Sequence, residues 1–240
     1  MKMASRTFQG FPASGIEFLR ELKKHNNREW FTPKLSLYKE RVRTPMLDLV
    51  QTVHVAMLGF APAYVGEPER CLYRVYRDTR FSKDKTPYKT HAAAQFWRNS
   101  LDKNTGAGFY FAISPEEVAI GGGIYMPSPE SLRLLRQHVA TDESGFRATF
   151  ETKRIRRLMG ELKGEQATRV PRGFDADDPA ADLLRYKRFF LYTTLSPEIV
   201  TTPRLVREIT SRFEAMTPFV EFLDRALLRK RRPQPGREID

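Results

Sequence analysis

Positively charged side chains are concentrated in one short stretch of this 240-residue sequence. Between Arg70 and Lys89 there are seven Lys or Arg and two Asp, a net charge of +5 in a chain whose total is +12. Arg can grip two oxygens of a phosphate or carboxylate at once, and Lys adds a compact charge. We therefore interpret residues 77–90, called the basic loop from here on, as a site for an anionic ligand, with a phosphorylated one favoured. Its predicted ligand-binding side chains are Arg77, Arg80, Lys83, Lys85, Tyr88 and Lys89.

The composition of the basic loop argues against a regular element and against disorder. It is too polar for a strand and too long for a tight turn, and loops of this length in compact domains are commonly functional. Phe81, Pro87 and Tyr88 can anchor it to the rest of the protein. The alternative is a solvated loop whose cations pair with Asp78 and Asp84.

A glycine run and one arginine are predicted to complete the site. The run ends a predicted strand and is followed by Ser128-Pro129, a helix start whose free N–H groups would attract an anion. Glycines would let a ligand approach the backbone closely, although a strand end with a bulge explains them equally well. Arg28 precedes Trp30 and Phe31, which we expect to anchor a corner between helices. The glycines of the run are Gly121, Gly122 and Gly123.

Two other functions remain open alongside the binding of a small anionic molecule. The first is a nonspecific nucleic-acid-binding module, in which Tyr73, Tyr76 and Phe81 interleave with the cations and join the C-terminal run 229–232. The second is a metal-assisted phosphoester hydrolase using Asp78, Asp84 or Glu29. The sequence leaves open whether the protein is an enzyme.

No residue pattern predicts a metal or cofactor site. The acidic cluster Asp175, Asp177 and Asp178 lacks the glycine and closing glutamate of an EF-hand, and Asp178 is explained by capping before Pro179. The four His are scattered, and only His91, next to the basic loop, is considered as a proton carrier. The single cysteine excludes a disulfide framework, and we expect it to be a small buried side chain.

Caps and apolar spacing predict helices on both sides of a central block. Ser14 and Glu17 fit a capping box that opens the first helix. Apolar residues then repeat at helical spacing over 35–57, with a kink or restart near Thr44 because Pro45 interrupts them. One helix is predicted over 144–162. Four more helix starts are predicted where a capping residue precedes a proline, at Pro129, Pro179, Pro203 and Pro218.

The central block alternates in a strand-like way. Strands are predicted over 71–77, 91–98, 108–114, 117–122 and 188–194, with a hairpin turn at Ser114-Pro115-Glu116. Strands in a block, with helices before and after, indicate an α+β fold. We expect an antiparallel sheet of about four to five strands, covered by helices from the N- and C-terminal parts.

The chain has no composition shift or linker that would divide it. We therefore expect one domain over residues 1–240, with about 1–10 and 232–240 poorly ordered. No apolar run approaches the length of a membrane helix and no signal peptide is evident, so a soluble cytoplasmic protein is expected. Its expected partners are an anionic or phosphate-containing small molecule, or nucleic acid; the oligomeric state is not predicted.

Several motifs resemble one known family. They are Asn26-Asn27-Arg28-Glu29-Trp30-Phe31, then Phe81-Ser82-Lys83-Asp84-Lys85-Thr86-Pro87-Tyr88-Lys89-Thr90, Gly121-Gly122-Gly123-Ile124-Tyr125-Met126-Pro127, Pro171-Arg172-Gly173-Phe174-Asp175 and Leu183-Leu184-Arg185-Tyr186-Lys187. With these motifs the chain resembles the domain-of-unknown-function 2461 family from about Phe11 to Leu227. It departs from the family pattern at Thr168 and Asp178, where Lys and His are usual. The resemblance implies a soluble, mainly bacterial, single-domain protein without an assigned activity.

Overall fold

A four-stranded antiparallel sheet forms the centre of the fold. The computed structural model describes residues 8–101, 103 and 105–228. The strands are β1 (Ala92–Trp97), β2 (Gly108–Ile113), β3 (Val118–Ile124) and β4 (Phe189–Leu195). They follow one another across the sheet in the order β1-β2-β3-β4. Helices come from the N- and C-terminal parts, so the predicted α+β fold is confirmed.

The longest helix of the described chain, α10, is also the last one along the sequence. The α-helices are α1 (Ala13–Lys24), α2 (Arg28–Phe31), α3 (Leu35–Tyr38), α4 (Thr44–Met57), α5 (Pro68–Cys71), α6 (Pro129–Thr141), α7 (Glu143–Phe150), α8 (Lys153–Met159), α9 (Ala181–Leu184) and α10 (Arg204–Leu228). Short 3₁₀ turns cover Thr32–Lys34, Pro62–Tyr64 and Pro197–Thr201, and a π-helical turn covers Lys39–Arg43.

Four helix predictions are corrected by the structure. The start predicted at Pro179, with Asp178 as its cap, is wrong, because α9 begins at Ala181 and its N-cap is Ala180, without a side-chain cap. The capping box is wrong, because α1 begins at Ala13 and its N-cap is Pro12, without a side-chain cap. The helix predicted over 144–162 is divided, because Thr152 accepts a hydrogen bond from the Ile155 N–H and starts α8. The helix start predicted at Pro218 is also wrong, because α10 continues through this proline.

The stretch 71–77 is not a strand. It makes two isolated β-bridges, Leu72 with Ala94 and Tyr76 with Tyr88. Large polar side chains point outward from it, since Tyr73, Arg74 and Tyr76 are all exposed. Cys71 and Val75 are buried, but Tyr73, which lies between them on the same face, is exposed, so the stretch has no continuous apolar face. The hairpin turn is confirmed, with the Ser114 N–H bonded to the Glu117 carbonyl at 3.0 Å.

The expected interruption of the second helix at Pro45 takes the form of a π-helical turn. This turn occupies Lys39–Arg43, and α4 starts directly after it. Proline has no N–H, so the Arg41 carbonyl, four residues earlier, receives no helical hydrogen bond from it. Gly15 of α1 packs on that carbonyl, because a Cβ at this position would lie 2.3 Å from the Arg41 oxygen.

The described chain divides into two compact units. The first contains residues 8–96, 110–120 and 194–211, and its core includes α1, α4 and the aromatic pair Phe96 and Phe111. The second contains residues 121–193 and 212–228 with the described part of 97–109. At its centre Phe146 contacts four other rings, those of Phe150, Phe189, Phe219 and Phe222. The single domain expected from sequence stays a prediction.

The two chain ends are described only in part. Gly10 packs against the backbone of Thr201 and has a φ of +133°, which favours glycine. The predictions for residues 1–7 and 232–240, and the C-terminal basic run, lie outside the described residues. Among the helices that the structure does describe, none combines the length and apolarity needed to span a membrane.

Candidate anion-binding loop

The basic loop leaves and re-enters the first unit through a short antiparallel neck. Tyr76 and Tyr88 pair there as an isolated β-bridge. The bridge is flanked by two backbone hydrogen bonds, from Arg77 to Pro87 at 2.9 Å and from Lys89 to Val75 at 2.8 Å. The neck therefore fixes both ends of residues 78–86, called the tip from here on.

Tyr88 anchors the neck to the helices of the first unit. Its side chain is only 4% exposed, and its ring stacks on Phe31 with 4.1 Å between ring centres. The Asn26 side-chain amide donates to the Tyr88 carbonyl at 2.9 Å and accepts from the Tyr88 N–H at 3.0 Å. The ring that sequence reasoning assigned to the ligand is thus already stacked on protein.

Arg28 lies near this anchor. Asn27 caps α2 by accepting a hydrogen bond from the Trp30 N–H at 2.9 Å, which fixes the first turn of that helix. Burial raises the pKa of the Tyr88 hydroxyl, while the nearby Arg28 guanidinium opposes this rise. The charge of Arg28, predicted as part of the site, therefore acts on a residue of the neck.

Both acidic side chains of the tip are bound by donors of the basic loop itself. Asp78 accepts from the backbone N–H, Nε and Nη2 of Arg80, at 3.2, 3.1 and 2.8 Å. Asp84 accepts from the Thr86 N–H at 2.9 Å and from the side chains of Thr86 and Arg77. The Arg80 side-chain hydrogen bonds lower the pKa of Asp78 to about 2. The pKa of Asp84 is also lowered to about 2, and the hydrogen bond from the Thr86 N–H is the largest cause. Both carboxylates are therefore charged at neutral pH and already hydrogen-bonded to donors of the basic loop.

Two lysines of the tip have no carboxylate partner among the described residues. Lys85 Nζ donates to the Thr79 carbonyl at 2.9 Å, a neutral acceptor that leaves its charge uncompensated. Lys83 is exposed and makes no hydrogen bond or ion pair within the described chain. Lys89 lies at the neck, where Nζ donates to the Arg74 carbonyl at 3.0 Å and sits 4.8 Å from the Tyr73 ring centre.

The apex of the tip presents an aromatic ring to solvent. A turn is closed by a hydrogen bond of 3.3 Å from the Ser82 N–H to the Thr79 carbonyl, with Arg80 and Phe81 between them. Phe81 is 95% exposed, and the Arg80 guanidinium carbon lies 5.8 Å from its ring centre. The tip therefore combines an exposed aromatic ring with uncompensated positive charge.

The glycine run lies inside β3 and is packed against protein. A Cβ on Gly122 would lie 3.0 Å from Met216 Sδ, on α10. Gly123 has a φ of +126°, and a Cβ there would lie 2.2 Å from the Phe189 carbonyl oxygen. A Cβ on Gly121 would lie 3.0 Å from the Leu191 carbonyl oxygen, so close packing of β3 on α10 and β4 explains all three glycines. Their role in ligand binding stays a prediction.

The acidic residues do not assemble a metal centre in the described part of the chain, which contains no group of three or more His, Cys, Asp and Glu side chains suited to a metal ion. In the acidic cluster, Asp175 accepts from the Asp177 N–H and Asp178 accepts from the Ala180 N–H. These are local turn contacts. No described metal site therefore supports the hydrolase hypothesis.

A polar pair beside the basic loop was missed by sequence reasoning. The Tyr73 hydroxyl donates to Gln95 Oε1 on β1 at 2.5 Å, and burial raises the pKa of Tyr73.

The pKa of His91 is lowered by burial and by the charge of Lys89. His91 is thus favoured in its neutral form, next to the neck. In the sequence, the closeness of His91 to the neck is indicated only by its position directly after the basic loop.

A second missed pair involves the cysteine. Cys71 Sγ lies 3.7 Å from His54 Nε2, and both residues are buried. Desolvation lowers the pKa of His54. The sequence predicted a small buried cysteine, and its burial is observed; the histidine beside it belongs to α4, 17 positions earlier in the chain. Both side chains are therefore part of the buried interior of the first unit.

Comparison with known proteins identifies a family and no characterised relative. The family model described as "Conserved hypothetical protein (DUF2461)" matches residues 14–222, most of the chain. This is the family suggested by the motifs around the basic loop and the glycine run. No curated protein matches the sequence.

Proposed function

The chain belongs to the DUF2461 family, and from the geometry of its basic loop we propose that it binds a phosphate-bearing anionic ligand through Lys83 and Lys85. The supporting observation is the arrangement of charge in the tip. Both acids are held by Arg80, Arg77 and Thr86, while the two lysines have no carboxylate partner among the described residues.

The charge of the basic loop is stable over the physiological pH range. Asp78 and Asp84 have pKa values of about 2, and the basic loop has five Lys and Arg against these two acids, a net charge of +3. The Lys85 ammonium has three N–H donors, of which one is used on the Thr79 carbonyl. Donors and charge therefore remain for phosphate oxygens.

The conformation of the tip reduces the entropic cost of binding. Asn26 and Phe31 fix the neck, and Asp84 connects the two limbs of the basic loop through Arg77 and Thr86. A loop already ordered in the free protein loses less freedom when a ligand binds. The proposal rests on the two lysines, and the part assigned to Arg28 stays a prediction. The glycine run is not needed for this site.

The test is the affinity for pyrophosphate, measured by isothermal titration calorimetry at low salt. The variant is Lys83→Gln with Lys85→Gln. Because exposed ion contacts contribute up to about 1 kcal/mol each, the two lysines together predict a loss of about tenfold in affinity. Equal affinities of wild type and variant would overturn the proposal.

A matched control separates a local site from the overall charge. Lys153 and Arg157 are exposed on α8, in the second unit, and have no ion pair among the described residues. Changing both to glutamine lowers the net charge by the same two units as the test variant. We expect this control to bind pyrophosphate like the wild type. An equal loss in both variants would show that net charge alone determines binding.

A further inference from the structure

We propose that the basic loop binds single-stranded nucleic acid, with a base stacked on Phe81 and backbone phosphates on Lys83 and Lys85. The inference rests on the proposed function, since it uses the same two lysines, and it adds the chemical class of the ligand. Phosphate binding leaves one feature of the tip unexplained. That feature is an aromatic side chain, 95% exposed, at the apex.

The backbone that carries Phe81 is held in place by contacts within the tip. The Thr79 carbonyl receives both the Ser82 N–H and the Lys85 ammonium, so one acceptor holds both limbs of the turn. The preceding residue, Arg80, is bound to Asp78 through its backbone and its guanidinium. Single exposed apolar residues are common. A ring held at the apex of a braced turn between two cations is a stacking surface.

Rings and cations alternate along the basic loop and the residues that lead into it. Tyr73 is 37% exposed and lies under the Lys89 ammonium, and Tyr76 is 49% exposed. A ligand that fits this surface presents flat faces and negative charges in alternation. Single-stranded nucleic acid does so, with one base and one phosphate per nucleotide, whereas a duplex hides the faces of its bases.

An anionic membrane is the other class of partner that a basic loop with an apolar tip attracts, and this surface fits it less well. Among the loop's side chains, Phe81 is the only exposed large apolar one, and stable anchoring of a protein to lipid takes more than one weak signal. The two carboxylates of the tip, Asp78 and Asp84, lie next to it. The partly exposed tyrosines suit stacking rather than insertion.

The experiment compares Phe81 variants for binding to a labelled short oligothymidylate, by fluorescence anisotropy at low salt. Stacking on an aromatic residue predicts about a tenfold loss for Phe81→Ala and wild-type affinity for Phe81→Trp. Phe81→Leu keeps an apolar side chain without a π-face, so we expect it to bind like the alanine variant. Because Phe81 packs on nothing in the core, thermal unfolding should be unchanged in all three.

A base-free probe separates this inference from the proposed function. An abasic oligonucleotide of the same length keeps the phosphates, and we expect it to bind weakly and equally to wild type and Phe81→Ala. Equal binding of the two probes to wild type would overturn the stacking inference while phosphate binding stands. If Lys83→Gln with Lys85→Gln binds both probes like wild type, the proposed function fails as well. A different result would overturn the inference in favour of a membrane. In that case Phe81→Leu would bind vesicles that contain anionic lipid, and no binding to the oligonucleotide would be detected.

Discussion

Removing the Asn26 amide should loosen the basic loop without touching any of its charges. Asn26 makes two hydrogen bonds to the backbone of Tyr88, at 2.9 and 3.0 Å, and these join the neck to the helical part of the first unit. Each such bond contributes about 1 kcal/mol net, so Asn26→Ala should lower the free energy of unfolding by about 2 kcal/mol. For a protein of this size that corresponds to a fall in Tm of about 4–8 °C.

The same variant should weaken pyrophosphate binding. With its neck released, the tip must be ordered when the ligand binds, and this cost appears as a several-fold rise in Kd. Thermal unfolding followed by circular dichroism measures the first effect, and calorimetric titration with pyrophosphate measures the second.

Asn27→Ala is the matched control. It removes the same side chain one position later, where the amide oxygen caps α2 through the Trp30 N–H. Loss of a helix cap costs about 1 kcal/mol, so this variant should be less stable than wild type and bind pyrophosphate normally. The reasoning is refuted if Asn26→Ala keeps wild-type affinity, or if both variants lose affinity equally.

Three further predictions concern packing, pH and chemical reactivity. Gly15→Ala places a Cβ 2.3 Å from the Arg41 carbonyl oxygen and should destabilise the protein by about 1–3 kcal/mol in urea unfolding, whereas the exposed neighbour Ser14→Ala should not. The pKa of Asp84 is about 2, below the ordinary 3.8, so its ionised form stabilises the fold above about pH 4 and this contribution is lost as the pH falls towards about 2. The stability difference between wild type and Asp84→Asn should accordingly shrink in acid, and a constant difference would contradict the assignment. Cys71 is 3% exposed, so Ellman's reagent should react with it only after unfolding in guanidinium, and rapid reaction of the folded protein would contradict its burial.

The sequence predicted the elements whose signal is local. β1 to β4 match the alternating stretches, and Ser128 caps α6 as its proline-containing start indicated. One prediction that failed, the helix start at Pro218, depended on longer-range packing. α10 continues through Pro218 because apolar residues on both sides of it, among them Phe213 and Phe222, are buried along the whole helix. The low helix propensity of one proline does not outweigh the burial of these side chains.

For the candidate site, charge could be located from sequence but its pairing could not. The sequence pattern located the cations of the basic loop. Only the structure shows that Asp78 and Asp84 form ion pairs with Arg80 and Arg77, and that Lys83 has no ion pair among the described residues. Tyr88 illustrates the same limit, because its ring is buried by Phe31, which is distant in sequence. Both Phe81 and Tyr88 were expected to anchor the loop, but only Tyr88 is buried, whereas Phe81 is exposed.

A crystal structure of the protein with pyrophosphate, at a concentration that saturates binding in calorimetry, is the most direct measurement. We expect phosphate oxygens within about 3 Å of the Nζ atoms of Lys83 and Lys85, with the Asp78 and Asp84 contacts unchanged. Pyrophosphate bound elsewhere on the molecule, with both lysines facing open solvent, would contradict binding by these lysines.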